Sequence, residues 1–214
     1  MKVALKNSRA MLQRTRDAKI ARVWVTGCDG SGFQITAPAT LNLEIGDEFV
    51  ANIFGHPWQL TAKMRLTSLE AAGSNVRARL EPHGPIATKE SPEEPRFKVQ
   101  GLSLDYVPPG ERDKKSAQVV EIGAHGFSWI SETEFEKGSL VLLELHTSMR
   151  QIDLTCEVRN CRRLDGAQAR YRAGVKLLTM DKMNGEWWEE LFDETLQSNM
   201  VDISGWQQDL AKSA

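Results

Sequence analysis

Cysteine is scarce, with three in 214 residues. A count that is both odd and sparse excludes a disulfide scaffold and fits a reducing compartment. Long apolar runs are missing. No stretch approaches the roughly 18 residues that a membrane helix needs, and the N-terminus lacks the apolar core of a secretory signal. A marked charge excess is missing too. Lysine plus arginine is 27 and aspartate plus glutamate is 29, whereas a general nucleic-acid binder carries a basic surplus. Catalytic signatures are also lacking. Gly27–Gly32 has the outer spacing of a phosphate loop, but Phe33-Gln34 follows where Lys-Ser/Thr would have to stand. His56, His83, His125 and His146 show no metal-ligand spacing. Cys156 and Cys161 are five apart, so a continuous strand turns them to opposite faces and they make no zinc pair. Cys28 has no neighbour in sequence that would activate its thiol, and no nucleophile elbow or kinase signature occurs. These absences predict a cytoplasmic, non-enzymatic protein that requires no cofactor and no metal.

Charge is present but unevenly placed. Met1–Trp24 holds seven basic residues (Lys2, Lys6, Arg9, Arg14, Arg16, Lys19 and Arg22) against Asp17 alone, while Asp181–Ala214 holds eight acids against two lysines. Residues 1–20 read as a basic arm or short helix, either solvated or lying on the chain's own acidic tail, or aimed at phosphates, anionic lipid or an acidic partner. From Arg22 the texture is that of short strands: Ala21–Thr26, Gly32–Thr36, Glu48–Phe54, Trp58–Ser68 and Asn75–Glu81. Pro82 to Pro95 then holds four prolines and three glutamates and reads as a linker over 83–95. Strand texture resumes at Phe97–Tyr106, Ser116–Ile122, Gly126–Ile130, Leu140–Leu145, Ile152–Arg162 and Arg170–Leu178.

The two halves repeat each other. Gly32-Phe33 matches Gly126-Phe127, Gly46 matches Gly138, and Trp58–Arg65 is laid on Ile152–Arg159. The glycine before each phenylalanine marks a position where a side chain would obstruct. Strands spaced 8–12 residues apart predict a small antiparallel barrel or sandwich in each half, a β domain over 21–82 and another over 96–180. Trp187/Trp188 and Leu191/Phe192 recur at helical spacing, so 181–214 reads as helical. The predicted helix is Asp181–Asn199, capped by Asp181 or Asn184 and docked on the second barrel by its aromatic face. A further short helix over Val201–Ala214 would carry Trp206 and Leu210.

Val119-Val-Glu-Ile-Gly-Ala-His-Gly126-Phe127, a later glycine before two strands, and a closing Ala-Gly174-Val175 resemble the PilZ domain. The resemblance covers about Arg96–Leu196, and Arg22–Glu81 is a weaker copy. It implies two six-stranded antiparallel barrels in tandem with a C-terminal helix, similar to flagellar-brake PilZ proteins. It also implies cyclic di-GMP as ligand at the interdomain linker and second barrel, or a degenerate adaptor that has lost it. The family's ligand motifs are RxxxR and (D/N)xSxxG. Here they read Arg96-Phe-Lys98-Val-Gln100 and Glu121-Ile-Gly123-Ala-His125-Gly126. Gln100 supplies no guanidinium fork, and Gly123 supplies no hydroxyl. Each lost charge-assisted bond is worth roughly 1.5–3 kcal/mol, so two cost about 10²–10⁴-fold in affinity. Arg14, Arg16 and Arg159 are the auxiliary cations that would compensate. The preferred reading is a PilZ-type adaptor working through protein contacts. By the resemblance, its partners are motility, pilus or secretion components. The alternatives are a genuine cyclic di-GMP receptor using Arg96, Lys98, Gln100 and Glu121–Gly126, and a β-barrel nucleic-acid module using the basic arm. The acidic balance argues against the last.

Overall fold

The structure is a computed structural model that describes residues 1–91, 94–166 and 169–206. It divides into two compact units, one of Met1–Phe97 with the segment from Thr195 onward, the other of Lys98–Glu194.

The first unit is built from β1 (Lys2–Arg14), β2 (Ile20–Asp29), β3 (Gly32–Pro38), β4 (Glu48–His56), β5 (Trp58–Ala72) and β6 (Asn75–Glu90). Their order is β1-β2-β3-β6-β5-β4, all neighbours antiparallel, and β1 also pairs with β4, which closes the barrel. The second unit holds β7 (Arg96–Lys98), β8 (Ser103–Tyr106), β9 (Lys115–Gly123), β10 (Gly126–Ser131), β11 (Leu140–His146), β12 (Gln151–Arg163) and β13 (Tyr171–Leu177). The boundary between the units falls inside β7. Six of these strands run in the order β10-β13-β12-β11-β8-β9, closed by β10–β9, with β7 beside β9. Next come α1 (Lys182–Ser198) and β14 (Met200–Asp202), which returns to pair with Lys2–Ala4 of β1. The two barrels and the C-terminal helix are the fold that the strand texture and the resemblance imply.

Four expectations are corrected. Residues 2–14 form a barrel strand, not an arm or helix. Ser8, Ala10, Leu12 and Arg14 alternate inward in the manner of a strand. Asn7, with φ of 54°, sits where the β1–β4 register shifts. Secondly, Pro82–Glu90 is not a linker but the second half of β6. After Leu80 this strand pairs with β5 alone, and Pro82 stands opposite Met64 beside a register shift. On that one-sided stretch a missing N–H costs little. Thirdly, Phe97–Tyr106 is two short strands, separated by Gly101 with φ of 78°. Lastly, the described part of the expected helix over 201–214 is the end of β14 followed by a single tight turn at Ser204–Trp206, while Leu210 lies outside the described residues.

The internal repeat is visible in the backbone. A Cβ on Gly32 would come within 2.3 Å of the Leu80 carbonyl oxygen, and one on Gly126 within 2.1 Å of that of Val175. Gly46 and Gly138 have φ of 94° and 87°. Gly46 N–H donates to Leu66 O at 2.8 Å and Leu66 N–H to Asp47 O at 2.9 Å. Gly138 N–H donates to Val158 O at 2.7 Å and Val158 N–H to Ser139 O at 2.9 Å. Leu66 therefore corresponds to Val158, so the match of Trp58 to Ile152 is two residues out of register. A slip of two keeps every side chain on its own face, which is why the pattern concealed it.

Each barrel also has a tryptophan lid. Trp188 of α1 packs on Phe127, with ring centroids 5.6 Å apart, and its indole N–H donates to the Ala124 carbonyl at 2.8 Å. Trp206 packs on Phe33 at 6.1 Å and donates to the Asp29 carbonyl at 2.8 Å. Asp181 caps α1 by accepting the Asn184 N–H at 2.9 Å.

Candidate functional site

The motif strand of the second barrel is β9, joined to β10 by the two-residue turn Ala124-His125, with Gly123 opposite Gly126. Gly126 is required there because the Val175 carbonyl occupies the place of its Cβ. On the outer face Glu121 stands opposite Ser128, and Ser128 opposite Gly174 of β13. Two residues before Gly174, Arg172 reaches the same spot. Its Nη2 lies 2.5 Å from Glu121 Oε1, and its Nη2 and Nε donate to Ser128 Oγ at 3.0 and 3.2 Å. The Glu121 side chain is only 3% exposed. The Asn160 side chain lies over Gly174, about 3.0 Å from where a Cβ would be.

The expected site residues divide into two groups. Glu121, Gly123, His125 and Gly126 are together on one hairpin, with His125 exposed in its turn. Arg96 is half-buried on β7, while Lys98 and Gln100 are exposed, and Val99 N–H donates to Val120 O at 3.2 Å. The auxiliary arginines are committed elsewhere. Arg14 is buried in the first barrel. It pairs with Asp17 at 2.7 Å and Asp47 at 3.2 Å and donates to the Asn42 carbonyl at 2.9 Å. Its fork holds the Asp17 carboxyl down at about 2. Arg16 makes a two-pronged pair with Glu44 at 2.9 and 3.1 Å. Arg159 is exposed and pairs with Glu157 at 3.0 Å.

The residue that sequence reasoning missed is Arg172. The repeat does not point to it, because the related fork of the first barrel lies two residues along each strand, with Arg79 opposite Gln34 as Gly174 is opposite Ser128. Arg79 of β6 forks onto Asp29 of β2 at 3.0 and 2.9 Å and donates to Ser31 Oγ at 2.6 Å. The fork and the Ser31 hydrogen bonds hold the Asp29 carboxyl far below the usual range. In each barrel an arginine from the last strand closes on an acid of the strand that leads into the Gly-Phe hairpin.

Other chemistry is mostly satisfied within the fold. Burial pushes the Cys28 and Cys156 thiols up to about 12, so neither is an activated nucleophile. Among the described residues, Asp105, Glu144 and His146 offer one metal-ligand group, with donor atoms within 4.8 Å of one another. Each has a protein partner already. Asp105 accepts from Ser116 at 2.6 Å and faces His146 Nε2 at 3.1 Å, and Lys114 holds Glu144. Ser116, ahead of His146, keeps the Asp105 carboxyl below its ordinary value.

The PilZ domain family matches residues 92–204. The chain belongs to the PilZ domain family. Its solved neighbours include MrkH of K. pneumonia in its apo state, at 10% identity over 90% of this chain and 87% of that one, with a TM-score of 0.45. The Bacillus subtilis inhibitor of motility MotI/DgrA is similar at 12% identity over 98% and 99%, with a TM-score of 0.43. YcgR from Escherichia coli, solved in complex with c-di-GMP, is similar at 6% identity over 90% and 85%, with a TM-score of 0.43. No curated protein matches the chain. No helix among the described residues is long and apolar enough to cross a membrane.

Proposed function

We propose that this chain is a PilZ-type signalling adaptor of cyclic di-GMP pathways. It acts in the cytoplasm through contacts with a motility, pilus or secretion component, without catalysing a reaction. One observation carries the reading. The acid of the ligand motif, Glu121, is buried and taken by Arg172, with Ser128 completing the set. A ligand using Glu121 would first have to part this pair. Breaking a buried pair costs roughly 3–5 kcal/mol, or about 10²–10⁴-fold in affinity. Gly123 and Gln100 bring no compensating hydroxyl or fork.

The receptor reading has its own support. Lys98, Gln100 and His125 are exposed, and a guanidinium fork suits both phosphate and guanine. Calorimetric titration with cyclic di-GMP separates the two, run on the natural chain and on Arg96→Ala. No heat from a folded protein is the expected result. Low-micromolar binding that Arg96→Ala abolishes would overturn the adaptor reading in favour of a receptor using Arg96, Lys98, Gln100 and Glu121–Gly126. A steeply salt-dependent affinity for oligonucleotides would instead favour the nucleic-acid module.

A further inference from the structure

The second barrel carries an open groove of about 490 Å³ on its outer face, between β11 and the start of α1. Part of its lining is apolar. Leu142 is 75% exposed and Val107 45% exposed, beside Met180. Leu140, two residues before Leu142 on the same face of β11, is 68% exposed. Single exposed leucines need no explanation; here two stand side by side on one strand, with Leu142 lining the groove.

The strand ladder there is one-sided as well. β12 pairs with β11 from Leu140 to His146, while β8 pairs only with Leu143–His146. On the β8 side, no strand among the described residues covers Leu140–Leu142. Edge strands are ordinarily protected by lysine, proline or a bulge. This one presents Leu-Val-Leu. The groove is also acidic, because Asp105, Glu144, Asp153 and Asp181 line it against Lys114 alone.

We infer that this groove docks a short extended segment of a partner protein, which adds its backbone beside Leu140–Leu142. The segment's apolar side chains meet Leu140 and Leu142, and its flanking lysines or arginines meet Asp153 and Asp181, since Lys114 already holds Glu144 and Ser116 and His146 hold Asp105. Main-chain pairing supplies affinity and the side chains supply selectivity, as in strand addition generally. The inference rests on the adaptor reading and gives it a surface.

The test uses the full chain and a labelled peptide, KKLTLTLKK, with EELTLTLEE as its charge-reversed counterpart. Fluorescence anisotropy should show the basic peptide binding at least about tenfold tighter than the acidic one. Leu142→Lys, at an outward position that leaves the core intact, should weaken binding by about tenfold or more. Hydrogen exchange should slow at the Leu140–Leu142 amides when the basic peptide is bound. Equal binding of the two peptides, unchanged binding by Leu142→Lys, or no slowing at those amides would each overturn the proposal. Cyclic di-GMP titration of the same preparations keeps the two readings apart. Heat with the nucleotide sinks the adaptor reading whatever the peptides do, while silence with the nucleotide and no peptide preference sinks the groove alone.

Discussion

In the first barrel Arg79 closes on Asp29 where the carboxylate side chain is 55% exposed, and in the second Arg172 closes on Glu121, which is almost wholly covered. The strands and the hairpin correspond, but both groups are displaced by two residues: Arg79 stands at the place of Gly174 and Asp29 at that of Gly123. The surroundings differ, and with them the energetics. A solvated pair contributes roughly 0–1 kcal/mol because water and salt compete for both charges. A covered pair adds little on balance, yet losing one partner costs about 3–5 kcal/mol because the other is stranded. The comparison teaches that the repeat preserves backbone geometry and lids, while burial decides whether an arginine and a carboxylate tolerate being separated.

The largest effect expected from breaking this comparison is at the arginines. Arg172→Ala should destabilise the chain by about 3–5 kcal/mol and Arg79→Ala by no more than about 1 kcal/mol in urea unfolding. Equal losses would show that burial is not what separates the pairs. Next come the obstructed glycines. Gly32→Ala and Gly126→Ala each force a Cβ into a carbonyl, and each should cost about 3 kcal/mol. Hydrogen exchange should place the loss in the barrel that carries the change. The lids follow. Trp188→Phe and Trp206→Phe keep a ring but strand a carbonyl, at about 1–2 kcal/mol each. A lid that costs nothing would mark its indole bond as incidental. Gly46→Ala and Gly138→Ala should match within error at about 1 kcal/mol, since both sit at positive φ with open space around them.

The smallest effect is an acid limb belonging to the first barrel. The Asp17 carboxyl is lowered from 3.8 to about 2 by the Arg14 hydrogen bonds. The unfolded chain therefore takes up this proton first. The contribution is complete above about pH 4 and is lost as pH falls through about 2. An acid titration of stability should show that limb, and Arg14→Ala should flatten it.

Much of this fold was legible in the sequence. The Gly-Phe hairpins and the two turn glycines declared themselves because their constraint is local, a backbone that no side chain can join. The aromatic face of α1 declared itself by its spacing. β1 stayed hidden because two of its four inward positions in Ser8–Arg14 are polar. Arg14 can be buried only because Asp17, Asn42 and Asp47 surround it, two of them distant in sequence. Pro82 and Pro85 read as breakers because a sequence does not say on which side a strand is paired. Of the site, the hairpin residues were legible and Arg172 was not, since its meaning lies in a partner 51 positions earlier. The parallel fork of Arg79 on Asp29 appears only once both strands are laid side by side.

The return of β14 to β1 bears on how the chain is made. Met200–Asp202 and Trp206 complete the first barrel, yet the ribosome reaches them only after translating the whole second unit. At roughly 5–20 residues per second, that interval is about 5–20 s. The barrel begun first is finished last, and until then the Lys2–Ala4 end of β1 and the underside of its missing lid face the cell without their own cover.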